Sequence, residues 1–298
     1  MKVLISDPIA KEGTEILKKS GIEFEEKTGL SPEELVKVIP EFDGIIVRSA
    51  TKVTKDVIEA GKNLKVIGRA GVGLDNVDRE AAKAKNIKVV NTPAATSISV
   101  AELALGMMFG AARRLPQATA STKAGKWEKK RFKGFELYGK TLGIIGIGRI
   151  GTELAKRAKA MGMSVLAFDP YVKTSDHAQV VEFDKLLAES DYISLHIPKT
   201  PETTHILNKA AFDKMKENVV IVNCARGGVV DEDALYEAIN SGRVRIAAMD
   251  VYESEPAKEH KLFELEQVIV TPHIGAQTAE GQTRAGIQIA ELVRDVLK

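Results

Sequence analysis

The sequence predicts an α/β protein built from two doubly wound, parallel-sheet domains, and three observations carry that expectation. Short apolar runs rich in β-branched residues alternate with amphipathic stretches from the first residues onward, the pattern of parallel strands joined by helical crossovers. The alternation stops once, between residues 97 and 140, and then resumes. A chain of 298 residues, 44% of them hydrophobic, is also longer than a single core usually grows.

In the first half, KVLIS (2–6) precedes the amphipathic AKEGTEILKKSG (10–21). GIIVRS (44–49) precedes TKDVIEAG (54–61), LKVIG (64–68) precedes DREAAKAKN (78–86), and IKVVN (87–91) follows. A helix-like stretch then spans about Ser97 to Lys123, followed by the basic segment GKWEKKRFKGFELYGK (125–140). The second series opens at Thr141, with strands in TLGIIGIG, SVLAFD, YISLHI, VVIVNCA, VRIAAMD and VIVTPH. The last segment sets Ile289, Leu292, Val293 and Val296 at helical spacing, and periodicity leaves open whether it closes the second domain or returns to the first.

Composition excludes several function classes. Charge is nearly balanced, 43 basic against 41 acidic residues, so no broad basic field invites nucleic acid. No apolar run is long enough for a bilayer. The longest candidate, SISVAELALGMMFGAARRL, is broken by Glu102 and Arg113 and reads as a buried helix or subunit contact. Cys224 is the only cysteine, which rules out an intrachain disulfide and a cysteine-rich metal site. With no His-x₃-His pair and no carboxylates clustered on histidines, no metal is expected. A cytoplasmic protein acting on a small molecule is the expectation.

The sharpest motif is Gly146-Ile147-Gly148-Arg149-Ile150-Gly151. It follows an apolar strand, opens the helical pattern RIGTELAKRAKAMG, and is succeeded by a strand ending at Asp169, 18 residues beyond Gly151. That context is the Rossmann dinucleotide unit. Gly146 allows the tight turn, Gly148 lets a pyrophosphate approach the backbone, and Gly151 lets the helix lie close to the strand. The helix N-terminus offers free N–H groups to the phosphates. Asp169 can accept ribose hydroxyls and would repel a 2′-phosphate, which favours NAD over NADP; flavin is the competing cofactor.

Ligands in open α/β sheets gather beyond the carboxyl ends of the strands, where His196, Arg226, Asp250 and His273 fall. Arg226 lies in NCARGG, with two glycines to give its guanidinium room; its fork of donors suits a carboxylate. His273, in TPHIGA, is the acid–base candidate, because imidazole exchanges a proton near neutrality. Glu255, in DVYESEP, is the candidate carboxylate partner. His177, His205 and His260 read as structural, and His196 as shaping the cofactor pocket.

These strings, with VRSATKVT (47–54), GRAGVGLDNVD (68–78), NTP (91–93), SISVAEL (97–103), GKWEKK (125–130) and VNCARGGVVDEDAL (222–235), run over essentially the whole chain. Together they resemble the D-isomer-specific 2-hydroxyacid dehydrogenases. The resemblance implies an Arg–Glu–His catalytic set on Arg226, Glu255 and His273. It implies cofactor contacts at Gly146, Gly148, Arg149, Ile150, Gly151, Asp169, Ile197, Cys224, Ala225, Arg226, Asp250, His273, Gly275, Ala276 and Val72. It further implies a flavodoxin-like substrate domain, residues 1–95 plus 282–298, a Rossmann NAD-binding domain, residues 96–281, and a cleft between them.

Glycines 68, 71 and 73 do not fit a dinucleotide fingerprint. The resemblance makes Gly71-Val72-Gly73 the substrate loop, its Val72 and Gly73 amides forming a nest for a carboxylate. Arg48 and Ser49 join the substrate residues, with Arg48 reaching a phosphate and a basic residue near Lys129 arriving from a neighbouring subunit; Trp127 is assigned to that interface. The implied reaction moves hydride from C2 of a D-2-hydroxy acid to NAD, with 3-phosphoglycerate, the entry to serine biosynthesis, first among substrates. Thr96, where relatives often carry asparagine, leaves glyoxylate and hydroxypyruvate as alternatives. A homodimer or homotetramer is expected, with no nucleic acid or membrane partner. A short form without a regulatory domain after Lys298 is the expectation, and with it no serine feedback through such a domain. An NAD-sensing, protein-binding corepressor is the alternative of another class.

Overall fold

The structure, a computed structural model, describes all residues, 1–298. β1 (Lys2–Ile5), α1 (Lys11–Lys19), β2 (Glu23–Glu26), α2 (Pro32–Val38), β3 (Gly44–Val47), α3 (Lys55–Ala60), β4 (Val66–Arg69), α4 (Arg79–Ala84) and β5 (Lys88–Asn91) alternate along the chain. They form a five-stranded sheet in the order β2-β1-β3-β4-β5, every pairing parallel. This is the flavodoxin-like order. The central strand β3, GIIV, is buried at every position, as a parallel strand covered on both faces must be. β2 is an edge strand reading EFEE, whose charges discourage pairing with another chain.

The C-terminal helix, Ala279–Leu297, closes one face of this sheet. Ile289 and Val293 are fully buried, each contributing about 1.5–3 kcal/mol. Its backbone comes so near α1 that a Cβ on Gly13 would lie 2.5 Å from the Gly286 oxygen. A larger residue at Gly13 would push the two helices apart.

The chain divides into two compact units, Met1–Ser97 with Ala276–Lys298, and Ile98–Gly275. The second junction falls at 276 rather than 282. The reason is local: Thr278 caps the C-terminal helix through the Gly281 N–H, and Gln277 accepts from Arg48 at 3.3 Å. These residues are therefore tied to the first unit before the helix begins.

The stretch expected as one helix from Ser97 to Lys123 is two, α5 (Ser97–Arg113) and α6 (Leu115–Lys123). Arg114 adopts the left-handed conformation, φ 51°. Pro116 has no N–H to give the Ala112 carbonyl, and that carbonyl accepts instead from Phe135 at 3.0 Å. β6 (Thr141–Ile145), α7 (Arg149–Ala160), β7 (Ser164–Phe168), β8 (Gln179–Val180), α8 (Phe183–Glu189), β9 (Tyr192–Leu195), α9 (Lys209–Lys214), β10 (Val219–Asn223), α10 (Glu232–Asn240), β11 (Val244–Met249) and β12 (Val268–Val270) follow. The seven strands run β12-β11-β10-β9-β6-β7-β8, so sequence neighbours β8 and β9 lie on opposite sides of β6. That reversal, at the carboxyl ends of β6 and β9, is where such sheets bind ligands. Every residue of β9 and β10 is buried. No helix is long and apolar enough to cross a membrane.

Candidate active site

The glycine motif sits at the reversal point of the larger sheet. Gly146 has φ 94°, and a Cβ there would lie 2.6 Å from the His196 oxygen and 2.7 Å from Ile197 Cγ2. Only glycine fits both demands. Gly148 is the N-cap of α7, with nothing within 4 Å of where its Cβ would be. Arg149 and Ile150 form the first turn of α7, and a side chain on Gly151 would collide with the Gly146 carbonyl. Asp169, just past β7, ties this loop down: Oδ2 accepts from Ile147 N at 3.1 Å, and Oδ1 from Tyr171 N at 2.9 Å. Oδ1 also accepts from Val172 N at 3.3 Å, so Oδ2 is the oxygen that keeps lone-pair capacity for a hydroxyl.

Open space at Gly148, the uncapped α7 N-terminus and a carboxylate fixed beside both fit a dinucleotide diphosphate and its ribose. His196 adds a buried imidazole whose Nδ1 has no hydrogen-bond partner, while Nε2 lies 2.9 Å from Ser194 Oγ. Burial pulls its pKa down to about 4, so it is uncharged near neutrality. Cys224 points elsewhere than a ligand. Its thiol lies 3.6 Å from Met107 Sδ in the core, and burial pushes its pKa up, leaving its backbone for any cofactor contact. Ala225 is also buried, its N–H held by Asn223 Oδ1 at 3.0 Å. Asn223 was not evident from sequence; its Nδ2 donates to the Arg226 carbonyl at 3.1 Å, so it braces the turn that presents the guanidinium.

His273 and Glu255 meet directly, Nδ1 to Oε2 at 2.7 Å. Nδ1 therefore carries the proton of a neutral ring, and Nε2 is left as the accepting nitrogen. Burial alone would raise the Glu255 carboxyl. The bond and charge of His273, the Tyr252 N–H and the Arg226 charge outweigh it and hold Glu255 below the usual carboxylate range. His273 has φ 53°, a left-handed conformation that costs a non-glycine residue energy and must be enforced.

Asp250 enforces it. This carboxylate is 1% exposed and accepts from Thr271 Oγ1 at 2.6 Å, Ile274 N at 2.8 Å and Gly275 N at 2.8 Å. Expected as a cofactor contact, Asp250 thus also clamps the loop that carries His273. Tyr252, which sequence reasoning missed, helps to hold the same loop. Its hydroxyl spans the Met249 and Thr271 carbonyls at 3.1 and 3.0 Å. Burial, and then the Asp250 charge, push its pKa up to about 12, so it stays a neutral donor.

The smaller unit gathers the expected substrate residues at the carboxyl ends of β3 and β4, paired through Val47 and Arg69. Asp7, 4% exposed, accepts from Arg48 N at 2.6 Å and from Thr51 Oγ1 at 2.7 Å. Asn76 Nδ2 donates to the Arg48 and Thr51 carbonyls at 2.8 and 2.6 Å. Arg48 and Ser49 therefore sit on a rigid loop. The turn Gly71-Val72-Gly73 lies beyond the β4–β5 ladder, which ends at Arg69 and Asn91. Asn91 Nδ2 holds the Val72 carbonyl at 2.6 Å, and Gly71, φ 146°, lies against the Arg69 guanidinium, which any side chain at 71 would displace. Thr96 is 4% exposed, and its hydroxyl has no partner. Ala276 and Gln277 fall within this unit.

Comparison with known proteins agrees with this geometry. Residues 105–275, more than half of the chain, match the family described as D-isomer specific 2-hydroxyacid dehydrogenase, NAD binding domain. A hydroxypyruvate reductase of Thermotoga maritima is 54% identical over 98% of this chain and 97% of that protein. A D-3-phosphoglycerate dehydrogenase of Methanocaldococcus jannaschii is 52% identical over 100% of this chain but only 58% of its own length. The chain therefore spans little more than half of that relative. The TT0316 protein of Thermus thermophilus superposes with a TM-score of 0.93 at 35% identity, covering 100% of this chain and 97% of that one. The chain belongs to the D-isomer-specific 2-hydroxyacid dehydrogenases, enzymes that use NAD, and its larger unit contains their NAD-binding domain.

Proposed function

We propose that the chain oxidises 3-phosphoglycerate at C2 with NAD, and that Arg226, Glu255 and His273 carry the reaction. The observation that supports the catalytic reading is the His273–Glu255 contact of 2.7 Å, with the Arg226 charge acting on the same carboxylate. In this reading the substrate carboxylate is held by the Val72 and Gly73 amides and by the Arg226 fork. His273 Nε2 accepts the C2 hydroxyl proton, and Glu255, ionised, stabilises the resulting imidazolium. Bound at the Gly146–Gly151 loop and Asp169, NAD supplies the acceptor for the C2 hydride. In reverse, the imidazolium returns its proton to the carbonyl oxygen as that oxygen gains negative charge. Arg48, on its braced loop, is assigned to the phosphate, with a basic residue near Lys129 of a second copy.

Hydroxypyruvate reduction is the second reading. It is favoured by the 54% identity to the Thermotoga maritima reductase across nearly all of both chains. Exposed apolar side chains support self-association: Ile98 is 40% and Trp127 88% exposed. We assign both to a homodimer or homotetramer, acting in the cytoplasm.

The test is an NAD-linked rate comparison among 3-phosphoglycerate, hydroxypyruvate, glyoxylate and D-lactate. The phosphorylated acid should have the highest kcat/KM, and Arg48→Ala should lower that value while sparing D-lactate. A preference for hydroxypyruvate that Arg48→Ala leaves unchanged would replace the first reading with the second.

A further inference from the structure

Glu255 is fixed at two points. One oxygen meets His273, and the other accepts the Tyr252 N–H at 3.1 Å. The Tyr252 N–H therefore helps to set where the carboxylate can stand, and the peptide that follows it, Tyr252–Glu253, is gripped from both sides. Gly227, next to Arg226, lies so close to the Tyr252 carbonyl that any side chain there would strike it. On the other side, the Glu253 N–H donates to Glu232 Oε1 at 2.9 Å.

Glu232 is only 7% exposed, and a carboxylate buried to that extent needs donors on both oxygens. Its second donor is His260, Nε2 to Oε2 at 2.8 Å. His260 Nδ1 accepts the Leu262 N–H at 3.2 Å, which places the proton of the neutral ring on Nε2, facing Glu232. The ring is further steadied by Tyr252 and Phe263, at centroid distances of 5.9 and 5.2 Å. Helix α10 does not need Glu232 as its cap, since Asp231 already accepts from the Asp233 and Ala234 N–H groups. The other titratable groups around the clasp are Glu253, paired with His205 at 3.0 Å, and Asp231, 3.9 Å from His205.

We infer that Glu232, oriented by His260, is a positioning residue for proton transfer: it anchors the Tyr252–Glu253 peptide and so fixes Tyr252, whose own N–H holds Glu255 against His273. The inference rests on the reading of His273 as the proton carrier.

Glu232→Gln in the full chain keeps the volume. However, its amide offers one acceptor oxygen where two donors, the Glu253 N–H and His260 Nε2–H, converge. Turnover of the hydroxy acid is expected to fall on the order of tenfold or more, as a small displacement near reacting groups can, with KM for NAD unchanged. The midpoint of the pH–rate rise should also move, because a displaced Glu255 no longer meets the ring at Nδ1. His260→Ala should move both readouts the same way, and the double variant should be no worse than the more impaired single one, as expected for one shared contact. If Glu232→Gln is recovered poorly folded, His260→Ala carries the test. A purely structural role would reduce the amount of active enzyme and leave the pH midpoint in place.

Wild-type turnover and midpoint in the folded variants would overturn the inference. His273→Ala separates the two claims. If it keeps full activity, the proton-carrier reading fails and the positioning role fails with it. If it is inactive while Glu232→Gln and His260→Ala behave as wild type, only the positioning role is wrong.

Discussion

His273→Ala is expected to reduce turnover on the order of 10² to 10⁴-fold, the usual contribution of a positioned acid–base group, while weakening NAD binding far less. The split follows from the geometry. The features proposed to hold the NAD diphosphate and ribose are the Gly146–Gly151 loop, the α7 N-terminus and Asp169, and the hydrogen bonds that hold them do not involve His273. His273 instead depends on Asp250, which fixes its strained loop, and on Glu255, which fixes its tautomer. Removing the imidazole takes away the proton acceptor and leaves the Asp250 clamp on the Ile274 and Gly275 amides in place. NADH production gives turnover, and a fluorescence titration with NADH gives cofactor affinity. Full activity in the variant would remove His273 from the mechanism.

Arg226→Ala has the next largest expected effect, a loss on the order of 10²-fold in kcat/KM for the hydroxy acid, given about 1.5–3 kcal/mol for a hydrogen bond to a charged group. Two roles are lost together. The guanidinium fork no longer meets the substrate carboxylate, and its charge no longer helps to hold Glu255 ionised. Arg226→Lys restores a charge without the planar fork, so it should recover only part of the loss. Steady-state rates with the acid varied at saturating NAD check both variants. An Arg226→Lys enzyme with wild-type kcat/KM would show that charge alone suffices.

Much of this was legible in the sequence because its signals are local. G-x-G-x-x-G between a strand and a helix, with Asp169 following, specifies its own geometry, and the φ of 94° at Gly146 bears this out. Strands covered on both faces, such as VVIVN in β10, advertise themselves as unbroken apolar runs. β2 does not, since EFEE at a sheet edge needs no apolar alternation, and β8 is only two residues long. Helix α2 is announced by a capping box at Ser31 and Glu34 rather than by periodicity.

The split of the long helix at Arg114 is signalled locally by Pro116, which has no N–H for the Ala112 carbonyl, but that Phe135, 23 residues away in the chain, claims that carbonyl depends on the fold. No period-based reading contains that information. The supporting residues of the site were hidden for the same reason. Tyr252, Asp7 and Asn76 each act through several hydrogen bonds, mostly to backbone groups that the fold delivers from elsewhere, and Asn223 acts through a turn whose shape no periodicity reports. His260 was read as structural, and nothing in EHKLF hints that its ring meets a buried Glu232.

The central claim is that one imidazole, paired with a carboxylate that stays ionised, carries the proton in both directions. Glu255 is held below the usual carboxylate range, so it keeps its charge throughout the range in which an imidazole, ordinarily near pH 6.5, titrates. Only the ring then changes state. The decisive measurement is kcat/KM against pH for oxidation and reduction on the same enzyme. Oxidation is predicted to rise and reduction to fall through a shared midpoint, since one direction needs the neutral ring and the other the charged one. Profiles that rise or fall together in the two directions would contradict the claim.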